Sequence, residues 1–194
     1  MSNIGRFAIF ALITNIDEET IRVEQRCLTS LTANTMALSF PVHITLKGRF
    51  IASEDIVINF LKEIDLTSLH LQTNIGLSKP RYIESQLSWL EVLPNTLGFD
   101  TLVLLHNFFE KEIDSFVVLD EVPEYHKNLH FRPHITLGWG VTLEVWYKYS
   151  FNRIFRSSQA QISHVALARY HQKWPLEESV TSVLKIPIRS DTNQ

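Results

Sequence analysis

The tetrapeptide His-Ile-Thr-Leu occurs twice, as His43-Ile44-Thr45-Leu46 and as His134-Ile135-Thr136-Leu137. Side chains alternate faces along a β-strand, so each copy sends its His and Thr one way and its Ile and Leu the other. Ile44, Leu46, Ile135 and Leu137 can then pack into a core. His43, Thr45, His134 and Thr136 are left facing a common cleft if the two strands lie side by side. Two imidazoles and two hydroxyls on one spot suit phosphodiester chemistry. Cleavage needs a base for the attacking oxygen and an acid for the leaving one, and histidine serves as either because its pKa lies near neutrality. The hydroxyls of Thr45 and Thr136 can donate to the non-bridging oxygens and stabilise the charge that grows there. The scheme calls for no metal or cofactor. A catalytic zinc usually takes three protein ligands, and no HExxH or other strong metal spacing is present.

The elements that must carry these groups follow from periodicity. Residues 7–13 are an apolar first strand. Asp17-Glu18-Glu19 opens a helix that continues through Ile21, Leu28 and Leu31. Pro41 precedes the first motif strand, which closes at Gly48. Ser53-Glu54-Asp55 caps a second helix with Ile56, Val57, Phe60, Leu61 and Ile64 on one face. Alternation from Leu69 to Leu77 predicts a strand, followed by a turn at Ser78-Lys79-Pro80-Arg81 and a strand around 87–93. A helix is expected over 99–113, and 115–132 reads as loop or edge strand. The second motif strand follows Pro133 and ends at Gly138-Trp139-Gly140. Thr142 then caps a helix running through Val145, Trp146, Tyr149 and Phe155, with strands at 162–170 and 180–188 and a polar tail from Ser190.

The order around each motif is the same: helix, motif strand ending in glycine, capped helix, two strands. The motifs stand 91 residues apart, near half of the 194-residue chain. This predicts one α+β domain over residues 1–194, built by a pseudo-twofold duplication into two lobes, each with one His-x-Thr strand.

Composition narrows the partners. A hydrophobic content of 45% supports a real core, and a net charge of -3 gives no global basic field for nucleic acid. Cys27 is the one cysteine, which excludes an intrachain disulfide and a cysteine-rich zinc site and fits a reducing, cytoplasmic compartment. The apolar run at 7–13 is too short to span a membrane, so no membrane partner is expected. Neither a P-loop nor a dinucleotide fingerprint occurs.

The paired motifs resemble those of the 2H phosphoesterase superfamily, closest to its bacterial 2′-5′ RNA ligase-like and RNA 2′,3′-cyclic phosphodiesterase group. Arg132-Pro133-His134-Ile135-Thr136-Leu137-Gly138 is similar to that group's second motif. Gly76, Lys79-Pro80-Arg81 and Trp89-Leu90-Glu91-Val92 resemble the segment after its first motif, and Phe7-Ala8-Ile9-Phe10 its first strand. The resemblance runs over residues 6–188 and implies a bilobal fold with antiparallel sheets lining a central cleft and helices outside. It implies that His134 activates water, His43 protonates the departing ribose oxygen, and Thr45 and Thr136 bind the phosphate. The implied activity is metal-independent hydrolysis of a nucleotide or RNA-end 2′,3′-cyclic phosphate to a 2′-phosphate, with 2′-5′ RNA ligation as a possible companion. The alternatives are a phosphodiesterase for 2′-5′ linkages or cyclic oligonucleotides, and a non-catalytic nucleotide-binding module. Family members often carry a basic residue soon after the second motif. Trp139 stands there instead, and it could stack on a base. The acidic charge favours a short oligonucleotide or a nucleotide over structured RNA, and a monomer is expected.

Other residues stand beside these. Lys47 lies on the His43–Thr45 face by alternation and could reach a phosphate. Arg49, Lys79, Arg81 and Arg132 read as substrate contacts or plain surface charges. His126 and His130 do not make a metal pair, His70, His106, His164 and His171 receive no role, and Tyr125 is placed at the cleft rim. Trp146, Tyr147 and Phe155 read as packing, and Trp89 as packing beneath the first lobe.

Overall fold

The computed structural model describes residues 3–13, 16–69, 71–83, 86–121, 131–150, 158–171 and 180–188. Among them the chain order is β1 (Ile4–Ile13), α1 (Ile16–Thr32), β2 (His43–Ser53), α2 (Glu54–Glu63), β3 (Asn74–Leu77), β4 (Arg81–Ile83) and β5 (Leu87–Glu91). Then come α3 (Leu97–Ile113), β6 (Leu119–Asp120), β7 (His134–Trp139), α4 (Leu143–Ser150), β8 (Ser158–Tyr170) and β9 (Val180–Pro187). Single 3-10 turns cover Met36–Leu38 and Leu66–Leu69. The fold is α+β with antiparallel sheets.

Two sheets form. One has six strands in the order β3-β8-β1-β2-β6, with β9 also on β8, and the other has three in the order β4-β5-β7. Each carries one motif, on β2 and on β7, and each mixes strands from both halves of the sequence. Phe7, Ile9, Ala11 and Ile13 of the central strand β1 enter the large core. Ala8, Phe10 and Leu12 form a second cluster on its other face with Ala166 and Ala168 of β8. Helix α1 buries Ile21, Gln25 and Leu28, one helical stripe. Helix α3 buries Leu102, Leu105, Phe109 and Ile113 on another.

Most predicted elements are present, and the departures have local causes. The first motif strand does not end at Gly48 but runs to Ser53, because β1 pairs with it as far as Ile4 opposite Ser53. Ser53 occupies the N-cap of α2 without a side-chain cap bond, whereas Thr142 Oγ1 accepts the Val145 N–H at 3.3 Å at the start of α4. The predicted strand 69–77 shrinks to Asn74–Leu77. Leu71, Thr73 and Ile75 still alternate inward, so the period reported burial rather than ladder pairing. Strand β4 was not foreseen. Residues 122–130 and 151–157, with Glu124, Tyr125, His126, His130 and Phe155, and also His70, lie outside the described residues. No described helix is long and apolar enough to cross a membrane.

Candidate active site

The two motifs are built alike at atomic detail. His43 Nδ1 is 2.8 Å from the Pro41 carbonyl, and His134 Nδ1 is 2.8 Å from the Arg132 carbonyl, two residues upstream in each case. A carbonyl only accepts, so Nδ1 carries the hydrogen and donates. Each neutral ring therefore presents the Nε2 lone pair. Each ring also lies on an aromatic neighbour. Phe10 stacks on His43 with centroids 3.8 Å apart, and Trp89 lies 4.2 Å from His134. Phe10 is the cross-strand partner of Thr45, and Trp89 that of Thr136. Among the described residues neither threonine hydroxyl is taken up by a protein partner.

A β-bulge follows each threonine. Thr45 to Lys47 spans one step of β1, Phe10 to Ile9, and Thr136 to Gly138 spans one step of β5, Trp89 to Ser88. An extra residue reverses the facing of everything beyond it. Lys47 therefore shares the face of Ile9, not that of His43, which corrects the expectation from alternation. Its side chain is 0% exposed, and Nζ lies 2.5 Å from Glu110, 3.2 Å from Asp120 and 3.3 Å from Asp114. Lys47 is held in a structural ion-pair cluster behind the motif strand. Those carboxylates are the one group among the described residues close enough to chelate a metal, and the Lys47 ammonium already contacts all three.

The same rule moves Trp139 the other way. It pairs with Leu87, which shares a face of β5 with Trp89. Trp139 is thereby returned to the side of His134 and Thr136. Arg49 lies over the Tyr170 ring at 5.8 Å, next to the Phe40 and His43 rings.

Electrostatics tie the motifs together. Burial of the charged form pushes the His43 pKa down to about 4, and the charges of His134 and Arg22 add to this against the Pro41 carbonyl. His43 thus feels His134 across the gap between the sheets. Burial lowers His134 as well, opposed by the Arg132 carbonyl and by Glu91, its cross-strand partner. Glu91 is held by Arg81 and, at 2.5 Å, by Arg132, and these guanidinium groups keep its carboxyl below the usual range against the effect of burial.

Neither protein-family models nor curated proteins match the chain. Solved structures do. TT0787 of Thermus thermophilus superposes with a TM-score of 0.60 at 15% identity, over 96% of this chain and 99% of that one. LigT of E. coli, in a complex with 3′-AMP, superposes with a TM-score of 0.56 at 15% identity over the same shares. The chain has the LigT fold.

A third neighbour, solved as a phosphoesterase, gives a TM-score of 0.51 at 14% identity over 95% of this chain and 98% of that one. LigT itself has been solved with 3′-AMP, phosphate, NADP+ and ATP. On the LigT fold His43 and Thr45 share one face of β2, His134, Thr136 and Trp139 share one face of β7, and Lys47 turns to the opposite face of its strand.

Sequence reasoning missed several participants. Trp89 packs on His134 rather than beneath the first lobe. Phe10, Arg22, Gln25, Glu91 and His106 were given no part. For Gln25 a signal existed: it is a polar residue between Ile21 and Leu28 on the apolar stripe of α1. The others depend on pairing that no local pattern reveals.

Proposed function

We propose that this chain is a metal-independent phosphodiesterase that hydrolyses nucleotide or RNA-end 2′,3′-cyclic phosphates to 2′-phosphates by two-histidine acid/base catalysis. The observation that carries the reading is the duplicated arrangement of imidazole and hydroxyl, each Nδ1 committed to a carbonyl and each Nε2 left for chemistry. The nucleotide and phosphate complexes of LigT support a nucleotide as ligand for a cleft of this kind.

Thr45 and Thr136 donate to the non-bridging oxygens and hold phosphorus between the imidazoles. His134 Nε2 takes a proton from water as its oxygen forms the new bond to phosphorus. The P–O3′ bond breaks on the opposite side, and His43 Nε2–H protonates the departing O3′, leaving a 2′-phosphate. Burial alone leaves His43 unprotonated at neutral pH. The phosphate anion supplies the opposite charge that lets it hold its proton. Trp139, on the same face, offers a stacking surface for the base.

The test is hydrolysis of adenosine and guanosine 2′,3′-cyclic phosphate in EDTA by wild type, His43→Ala and His134→Ala. A 2′-phosphate product from wild type, lost in both variants, is expected. Folded wild type that turns over neither compound overturns the reading and directs the search to 2′-5′ and cyclic oligonucleotides.

A further inference from the structure

The two motif strands belong to different sheets, so no ladder hydrogen bond sets the distance between them. Two catalytic imidazoles must nonetheless be held within about half an ångström of their working separation. Side chains from two helices make the connection.

Helix α1 supplies the first link. Gln25, 2% exposed, donates Nε2–H to the Thr136 carbonyl at 2.9 Å. Its Oε1 accepts from Arg22 Nη1 at 3.0 Å. The same guanidinium donates Nη2–H to the Phe40 carbonyl at 2.7 Å and reaches the Ala37 carbonyl at 3.4 Å. Phe40 precedes Pro41, whose carbonyl holds His43, and the Phe40 ring stacks on His43 with centroids 5.8 Å apart.

Helix α3 supplies the second. His106 Nδ1 lies 2.6 Å from the Leu46 carbonyl, at the bulge just past Thr45, and therefore donates to it. The other side of this imidazole is flat against Phe131, centroids 4.0 Å apart and planes 6° from parallel. Phe131 adjoins Arg132, whose carbonyl holds His134.

Each link joins the carboxyl end of one motif to the amino end of the other. The first runs from Thr136 to the residues before His43, the second from Leu46 to the residues before His134. We infer that Gln25 with Arg22, and His106, are positioning residues that clamp the two His-x-Thr strands at a fixed separation from opposite ends. This rests on the reading of the histidine pair as catalytic. A buried amide and a half-buried imidazole–carbonyl bond exceed what packing needs there, since apolar residues of equal size would fill the same space without polar groups to satisfy.

The experiment compares Gln25→Met, His106→Phe and the double variant on a 2′,3′-cyclic phosphate, with His43→Ala and His134→Ala as controls. Methionine keeps the volume of Gln25 without its donor, and phenylalanine keeps the stack on Phe131 without the bond to Leu46. Each single variant is expected to lose about 10- to 100-fold in kcat with KM little changed, since misplacement of about 1 Å costs that order. The double variant is expected to lose more than either. His106→Gln, which keeps an N–H donor, recovers part of the loss. Should Gln25→Met fail to fold, Arg22→Lys, which keeps the charge but not the forked donor, replaces it with the same expectation. Wild-type kcat in the folded variants, with only a lowered Tm, overturns the clamp while leaving the phosphodiesterase reading intact. Turnover that survives His43→Ala and His134→Ala overturns that reading instead.

Discussion

Phe10 lies opposite Thr45 in the β1–β2 ladder and stacks its ring on His43 at 3.8 Å. One residue of the neighbouring strand thus backs both functional groups of the motif. An aromatic contact of this kind contributes about 0.5–1.5 kcal/mol beyond area burial, or roughly 2- to 10-fold if it is felt wholly in the transition state. Phe10→Leu is expected to lower kcat within that range while circular dichroism stays native. An unchanged rate means that the Nδ1–Pro41 bond alone orients the ring.

The histidines act as a unit if one accepts a proton in the same step in which the other donates one. His43→Ala and His134→Ala are each expected to lose about 10²- to 10⁴-fold in kcat/KM. The double variant falls little further, because removing either partner disables the shared step. Strictly multiplicative losses, measured in the same assay, argue for independent roles.

The pH dependence follows from burial of both rings. Turnover needs one imidazole charged and the other neutral. With His43 at about 4 and His134 below its ordinary value, that form is most abundant on the acid side of 6.5. The optimum of kcat/KM is therefore expected below 6.5, falling as pH rises. The kcat optimum lies higher, because the bound anion favours the charged imidazole. NMR titration of the His43 ring with and without inorganic phosphate checks this directly: phosphate should raise its pKa. Stability has the corresponding sign. Between 6.5 and about 4 the unfolded chain takes a proton that folded His43 refuses, so this contribution is full above 6.5 and is lost as pH falls.

Lys47→Met is expected to damage stability rather than chemistry. Removing one partner of a buried ion pair costs about 3–5 kcal/mol, and about 2–3 kcal/mol is expected here because Asp114 and Glu110 reach water. The side chains of these two are 64% and 33% exposed. Urea unfolding measures the loss. A kcat that drops far more than folding accounts for would return Lys47 to the substrate.

Trp139→Ala is expected to raise KM for a nucleoside cyclic phosphate by about 5- to 100-fold, the range that base stacking spans. A phosphodiester without a base should show no such change. Equal effects on both substrates would remove Trp139 from base recognition.

The groups that the candidate site offers were legible in the sequence. A repeated His-x-Thr with alternating apolar residues specifies which groups face outward from a strand, because alternation is a property of the strand itself. The long helices were legible for a similar reason, their apolar stripes having the helical period. What the tertiary structure decided is where alternation stops. The bulges after Thr45 and Thr136 exist only relative to the partner strands β1 and β5, and they send Lys47 into an ion-pair cluster and Trp139 back beside His134. The mixing of strands from both halves in each sheet, and the reach of Gln25 and His106 to carbonyls 111 and 60 residues away, depend likewise on contacts distant in the chain. Local pattern decides which groups a strand offers, whereas the pairing of strands and helices decides which of them meet.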